Sequence, residues 1–270
     1  MSLYDELAAA IRAEEPAALA TVIDGADRGA KLLVRPGQDG RAAQSHGSLG
    51  DPDLDRVVAR DALGELAAGT TAVRHYGEHG EAREATLTVF VESFAPPPSM
   101  LIFGAVDFTA ALVRVAKVLG YRATVCDARE VFATSARFPY ADEVIVDWPD
   151  RVLARIGDTL TPRDAVCVLT HDTKFDVPAL VAALDTDAGY IGAMGSRRTH
   201  ANRVNRLKEA GVDDTGLARI RAPIGLSIGA RTPEETAISI CAEIIAARAR
   251  QLHDPRPLSD TVGPIHDPGR

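Results

Sequence analysis

Two short polar runs hold the side chains best suited to gripping an anion. Thr170-His171-Asp172-Thr173-Lys174-Phe175-Asp176 follows the apolar run 165–169, and Gly195-Ser196-Arg197-Arg198-Thr199 follows the apolar run 190–193. Arginine makes fork-like contacts with phosphate. Ser196 stands where a helix running to about residue 210 begins, and a helix start offers free N–H groups and a positive dipole. Arg231 precedes a second helix start at Thr232. Each of these has an ordinary use as well: the arginines as a solvated first turn paired with nearby acids, His171 as a loop histidine bonded to backbone. Loops that follow neighbouring strands meet over one crevice in an open α/β sheet. The expected crevice therefore gathers His171, Asp172, Lys174, Gly195, Ser196, Arg197, Arg198 and Arg231.

A third candidate is the turn Gly104-Ala105-Val106-Asp107-Phe108-Thr109, where a dinucleotide fold would seat pyrophosphate. Gly104 matches the first glycine of that fingerprint, whereas Val106 and Thr109 replace the second and third. Asp107 can cap the helix, but its charge repels a phosphate. Asp127 ends the next strand, about where a ribose-binding carboxylate falls. NAD(P) binding is thus an open alternative at Gly104 and Asp127, with the glycine pattern against it.

Other chemistries find little support. Cys126, Cys167 and Cys241 are far apart among apolar neighbours, so they read as small buried hydrophobes and no metal site is expected. His75 and His79 have a helical metal spacing, but Gly77 and Gly80 make the segment a turn. No nucleophile elbow or Walker A loop is present; His171 could act in proton transfer, but no residue is assigned a catalytic step.

The elements that must position these residues change character at Ala95-Pro96-Pro97-Pro98-Ser99, a stiff connector. Before it the pattern is α+β: a helix over 3–13, strands over 17–23 and 31–34 with a turn over 36–40, a helix from Pro52 to residue 68, then strands over 71–76 and 86–94. After it, strands at 100–104, 123–126, 144–146, 165–169 and 190–193 alternate with helical patterns such as 108–119. That alternation predicts a parallel sheet with helices on both faces. Thr232, Pro233 and Glu235 spell a capping box for a final helix to about residue 252. The expectation is an α/β protein: a small α+β domain (1–95), a Rossmann-like domain (96–252) and a loose tail (253–270).

Composition narrows the partners. The chain has 270 residues, with 30 Lys+Arg against 38 Asp+Glu and a formal charge of -8, the wrong balance for nucleic acid. Its apolar runs are too short for a membrane helix. The acidic start lacks the order of a signal peptide, so the expected location is cytoplasmic.

The runs LTHDTKFDVPAL (169–180), YIGAMGSRRT (190–199), RLKEAGV (206–212), APIGLSIGARTPEETAISICAEI (222–244) and RFPYADEVIVDWPD (137–150) closely resemble the XdhC/CoxI family. EPAALATVID, GAKLLV and VFVESF resemble that family's smaller domain. The resemblance implies an accessory factor for a molybdenum hydroxylase of the xanthine or carbon monoxide dehydrogenase type. Such a factor binds molybdenum cofactor (molybdopterin) and helps insert it, as a maturation factor more than a catalyst. A cysteine desulfurase and a second copy of the chain are further partners the resemblance admits. The chain departs from the family at Val106 and Asp107, where glycine and histidine are usual. Ser48-Leu49-Gly50-Asp51 stands in place of a Gly-Gly-Cys motif, and Glu84-Ala85-Thr86 in place of a Cys-Gly-Gly motif. Two readings compete with the accessory factor: an NAD(P)-dependent oxidoreductase, and a structural partner of the hydroxylase that binds no ligand.

Overall fold

A computed structural model of the chain describes residues 2–37, 43–81, 85–170, 172–249 and 256–261. They form two compact units, 1–97 and 98–270.

In the first unit, helix α1 (Leu3–Arg12) precedes strands β1 (Ala17–Asp24), β2 (Lys31–Pro36) and β3 (Ala43–Ser48). Helix α2 (Pro52–Ala68) follows, then β4 (Ala72–Tyr76) and β5 (Leu87–Phe94). The strands pair antiparallel in the order β3-β2-β1-β5-β4. Leu54, Val58, Ala62 and Leu66 recur every four residues, so they form one stripe of α2 that packs on Ala18, Ala20, Leu32, Val89 and Val91. Asp51 caps α2 through the N–H groups of Asp53 and Leu54. Strand β3 is exposed at every position, and its sequence AQSHGS lacks the apolar alternation that would announce a strand. It pairs along its length with β2, and His46 Nδ1 lies 3.0 Å from Glu6 Oε1 of α1. Most of the turn expected at 36–40 lies outside the described residues.

The second unit contains β6 (Ser99–Phe103), α3 (Asp107–Val118), β7 (Arg122–Cys126), β8 (Glu143–Ile145), α4 (Pro149–Ile156), β9 (Ala165–Val168) and α5 (Thr173–Leu184). It continues through β10 (Tyr190–Ala193), α6 (Arg197–Glu209), α7 (Asp214–Arg219), β11 (Ile220–Arg221) and α8 (Pro233–Arg248). All six strands run parallel in the order β8-β7-β6-β9-β10-β11. This is the doubly wound Rossmann arrangement, and its order reverses between β6 and β9. Successive residues of β6 feed opposite cores. Met100 and Ile102 face α3 and α8, while Leu101 and Phe103 face α4 and α5. Burial on both faces is why these strands read as continuous apolar runs. The expected α/β class and parallel sheet are what the structure has. Helix α7 and strand β11 carried no signal strong enough to be expected. The final helix ends at Arg248 rather than near residue 252; residues 250–255 lie outside the described set. Of the expected tail, 256–261 are described and contain one 3₁₀ turn, Leu258–Asp260. Among the described residues no helix is long and apolar enough to cross a membrane.

Candidate functional site

The carboxyl ends of β6 and β9 meet at the switch point, where an open sheet of this kind presents its crevice. Gly104 ends β6 with a φ of +113°, and its N–H donates to the Cys126 carbonyl at 2.8 Å. Helix α3 starts without a side-chain cap at Val106. The Thr109 hydroxyl donates back to the Gly104 carbonyl and accepts from the Val106 N–H at 3.3 Å. Asp107 is therefore the first helical residue and does not cap, contrary to the reading from sequence. Thr109 closes the turn because its hydroxyl is buried there.

Asp127 is 3% exposed. Its Oδ2 accepts from the Ala105 N–H and from Arg129 Nη2, both at 2.8 Å. Oδ1 accepts from the Arg129 backbone N–H at 3.0 Å and its Nε at 2.9 Å. Burial pushes the carboxyl up, but these bonds outweigh it and hold its pKa below the ordinary value. Arg129 also lies over the Phe132 ring at 4.5 Å, and Arg137 donates to the Ala105 carbonyl at 3.1 Å. Gly104 and Asp127 are thus brought together, but both carboxylate oxygens are taken by the protein itself. A ribose would have to displace Arg129, and a pyrophosphate would have to pass the Val106 side chain.

The second group lies on the loops after β9 and β10. Asp172 caps α5 by accepting the Lys174 N–H at 3.0 Å. Lys174 is exposed, its Nζ 5.0 Å from the centre of the Trp148 ring and 5.7 Å from that of Phe175. His171 lies outside the described residues. Gly195 has a φ of +140° and turns the chain into α6. Ser196 caps that helix by accepting the Thr199 N–H at 3.1 Å. Arg197, Arg198 and Arg231 are exposed. Among the described residues none of the three side chains has an ion-pair partner, so the first turn of α6 is solvated, as the ordinary reading has it, but not paired with acids. Arg231 stands on the loop before α8, where its N–H donates to Glu235. Helix α8 packs with α3, on the sheet face opposite α5. Among the described residues no hydrogen bond joins the Arg231 side chain to the other candidates.

Beneath these loops is a buried network that sequence reasoning missed. The Thr170 hydroxyl donates to Asp176 Oδ1. Arg203 Nη2 donates to Asp176 Oδ2 at 2.8 Å and to the Met194 carbonyl at 2.7 Å. Arg203 and Asp176 are each 1% exposed. The signal was available: Asp176 sits one turn before buried Ala179 and Leu180, and Arg203 one turn before buried Leu207. A charge on the buried stripe of a helix needs a partner. His200, three residues before Arg203, has a buried, unpartnered Nδ1, and burial together with the Arg203 charge lowers its pKa.

The cysteines offer a soft metal no accessible thiolate. All three cysteines are buried. Burial pushes the thiols of Cys126 and Cys241 up to about 12, and that of Cys167 well above its ordinary value. Among the described residues no three His, Cys, Asp or Glu side chains cluster as metal ligands.

The switch point, the glycine turn after β6 and the capped helices after β9 and β10 define a Rossmann-type domain with its polar groups at the carboxyl edge of the sheet. A model described as the XdhC Rossmann domain matches residues 100–244, and one described as the XdhC and CoxI family matches 10–77. The chain belongs to the XdhC and CoxI family. It is 34% identical over 167 residues to a Bacillus subtilis protein named as a probable xanthine dehydrogenase subunit, covering 62% of this chain and 48% of that one. It is 34% identical over 128 residues to the molybdenum cofactor insertion chaperone PaoD of Escherichia coli, covering 47% of this chain and 39% of PaoD. An uncharacterized Escherichia coli protein, YqeB, is 26% identical over 259 residues, 92% of this chain and 46% of its own. The chain therefore spans less than half the length of these relatives. A crystal structure described as a xanthine dehydrogenase from Bacillus halodurans superposes with a TM-score of 0.54 at 22% identity, covering 97% of this chain and 98% of that one, a likeness of fold.

Proposed function

We propose that this protein is an accessory factor for a xanthine dehydrogenase-type molybdenum enzyme, binding molybdenum cofactor through its phosphate and helping to deliver it. The observation that carries the reading is the start of α6. There Ser196 caps the helix, and Arg197 and Arg198 stand exposed without acidic partners on a chain whose net charge is -8. Unpaired cations in a helix's first turn oppose its dipole, and a bound anion would remove that conflict. Membership of the family and similarity to an insertion chaperone supply the chemistry of the anion, a phosphorylated pterin.

The residues present fit the phosphate of that group, and no cysteine is accessible to its metal. Ser196, Arg197, Arg198 and the free N–H groups of α6 would hold the phosphate, while Asp172 and Lys174 lie on the neighbouring loop. When bound, the cofactor supplies the molybdenum chemistry of the recipient enzyme. The chain's own part is to bind and orient. With no accessible thiol, it presents no sulfur ligand that would have to be released on delivery. Every residue used belongs to one chain, so the proposal needs neither a cysteine desulfurase nor a second copy. The NAD(P) alternative is disfavoured by Val106 and by the Asp127–Arg129 pairing.

The test is a side-by-side titration of the purified protein with molybdopterin released from a molybdenum hydroxylase and with NAD(H). Binding of the pterin alone is expected. Arg197→Ala with Arg198→Ala should weaken it by about 1.5–3 kcal/mol for each charged hydrogen bond lost, with thermal unfolding unchanged. Unaltered pterin affinity in the double variant would overturn the assignment.

A further inference from the structure

Helices α5 and α6 wall an open groove of about 690 Å³. Small-molecule sites run from roughly 300 to 1,000 Å³, so the groove has room for one. Lys174, Val177 and Pro178 line the α5 wall, and Asn202, Asn205, Arg206 and Glu209 line the α6 wall. Val177 and Pro178 give the first wall an apolar patch against which a flat ring can lie. The second wall is a row of polar groups at helical spacing. Asn202 and Asn205 are three residues apart and Asn205 and Glu209 four, so each neighbours the next on the helix surface. Asn202, Asn205 and Glu209 are exposed, and among the described residues their side chains make no hydrogen bond or ion pair. A ligand recruits them without breaking a bond inside the protein.

Glu209 is the last residue of α6, where the negative end of the helix dipole opposes a carboxylate. N–H donors brought against it would remove that conflict, as an anion would at the other end of the same helix. Side chains lean toward the helix N-terminus, so Glu209 reaches back toward Asn205. A carboxylate accepts two parallel N–H bonds, and a carboxamide carries N–H donors of its own. Together Glu209 and Asn205 present two acceptors beside a donor.

We infer that this groove seats the ring of the ligand whose phosphate lies at the start of α6. The class that matches is a planar heterocycle whose edge carries adjacent ring N–H and amino donors beside a carbonyl, the edge shared by pterin and guanine. Glu209 accepts from both donors, the Asn205 amide donates to the carbonyl, and the ring lies against Val177 and Pro178. Asn205 follows Arg197 by eight residues, about 12 Å along the axis, a separation that one phosphorylated pterin bridges. The inference rests on reading the start of α6 as a phosphate site, and of the two rings pterin is the one the proposed cofactor carries.

The experiment is calorimetry of the full chain at neutral pH, with neopterin (a pterin without phosphate), guanosine, adenosine and inorganic phosphate titrated separately. Neopterin should bind, and adenosine, which lacks the edge, should not. Glu209→Gln keeps the size of the side chain but replaces one acceptor with a donor. It should weaken neopterin binding at least tenfold and leave phosphate affinity and thermal unfolding unchanged. Arg197→Ala with Arg198→Ala should do the reverse, losing phosphate and keeping neopterin. No neopterin binding by the wild type, or equal affinity in Glu209→Gln, would overturn the inference, and phosphate binding in that same protein would leave the phosphate reading of α6 standing. Neopterin binding without phosphate binding would support the groove and overturn the phosphate reading. Guanosine bound more tightly than neopterin would support the readout of the edge and overturn pterin as its occupant. Adenosine bound as tightly as neopterin would overturn the readout itself.

Discussion

Thr170 packs against Gly104 so closely that a Cβ on the glycine would stand 2.8 Å from the threonine Cγ2 and 3.0 Å from its backbone nitrogen. The two residues lie just beyond the ends of β6 and β9, the adjacent strands between which the sheet order reverses. Thr170 is held in that position by Asp176, and Asp176 by Arg203. Exposed polar groups stand on the segments after both β9 and β10, at Asp172 and Lys174 and at the start of α6.

The contact predicts the behaviour of Gly104→Ala. The new methyl meets Thr170 and forces a positive φ on a residue with a Cβ, which should cost about 1–3 kcal/mol in urea unfolding. Adding Thr170→Ser removes Cγ2 but leaves the backbone nitrogen and the strained φ, so only part of the loss should return. Full recovery in the double variant would mean that the side-chain contact alone carries the cost.

Nucleotide binding supplies a second prediction. Wild-type protein should show no NAD(H) binding by calorimetry. Val106→Gly with Asp107→His opens the turn but leaves Asp127 paired to Arg129, so binding should stay undetected. Adding Arg129→Ala frees the carboxylate and should raise affinity at least tenfold, or about 1.4 kcal/mol. Tight binding by the first pair of changes would show that Arg129 is no barrier.

The central strands β6, β9 and β10 were legible because burial on both faces turns each into an apolar run, as in Met100 to Phe103, whereas the two-residue edge strand β11 was not. The α8 start was legible because Thr232, Pro233 and Glu235 form a local pattern, and their side chains make the bonds that pattern implies. Strand β3 was not, since an exposed edge strand needs only backbone partners and leaves no mark on composition. Asp107 has the residue type of a cap without the role, because sequence does not show that Thr109 folds back onto Gly104. In the candidate site, the exposed residues Ser196, Arg197 and Arg198 were visible as types. The network under them was not, because Thr170, Asp176 and Arg203 come from three different elements and meet only in the fold.

The thiols offer a direct check on how the interior is packed. Cys126 donates to the Asp147 carbonyl at 3.2 Å, and Cys126, Cys167 and Cys241 are all buried with raised pKa values. Native protein at pH 8 should therefore take up no iodoacetamide, and denatured protein should take up three equivalents by mass spectrometry. Rapid alkylation of any one thiol in the native state would show that it is accessible, and would reopen the question of a sulfur ligand.

The Asp127–Arg129 pair should leave a signature in the dependence of stability on pH. The folded pKa of Asp127 lies below its ordinary value of 3.8. The unfolded chain therefore binds the proton more readily, and the pair's contribution is fully present above the ordinary carboxylate pKa. It is lost as pH falls through the lowered folded value. Asp127→Asn keeps an acceptor for the Ala105 N–H but removes the charge facing Arg129. Its stability deficit against wild type should be constant from pH 7 to about pH 5 and shrink as the solution is made more acidic. Arg129 is half-exposed, so added salt should reduce the deficit at neutral pH. A deficit that stays the same down to pH 3, measured by denaturant unfolding at each pH, would mean that shape and neutral hydrogen bonding hold Asp127, and that its charge contributes nothing.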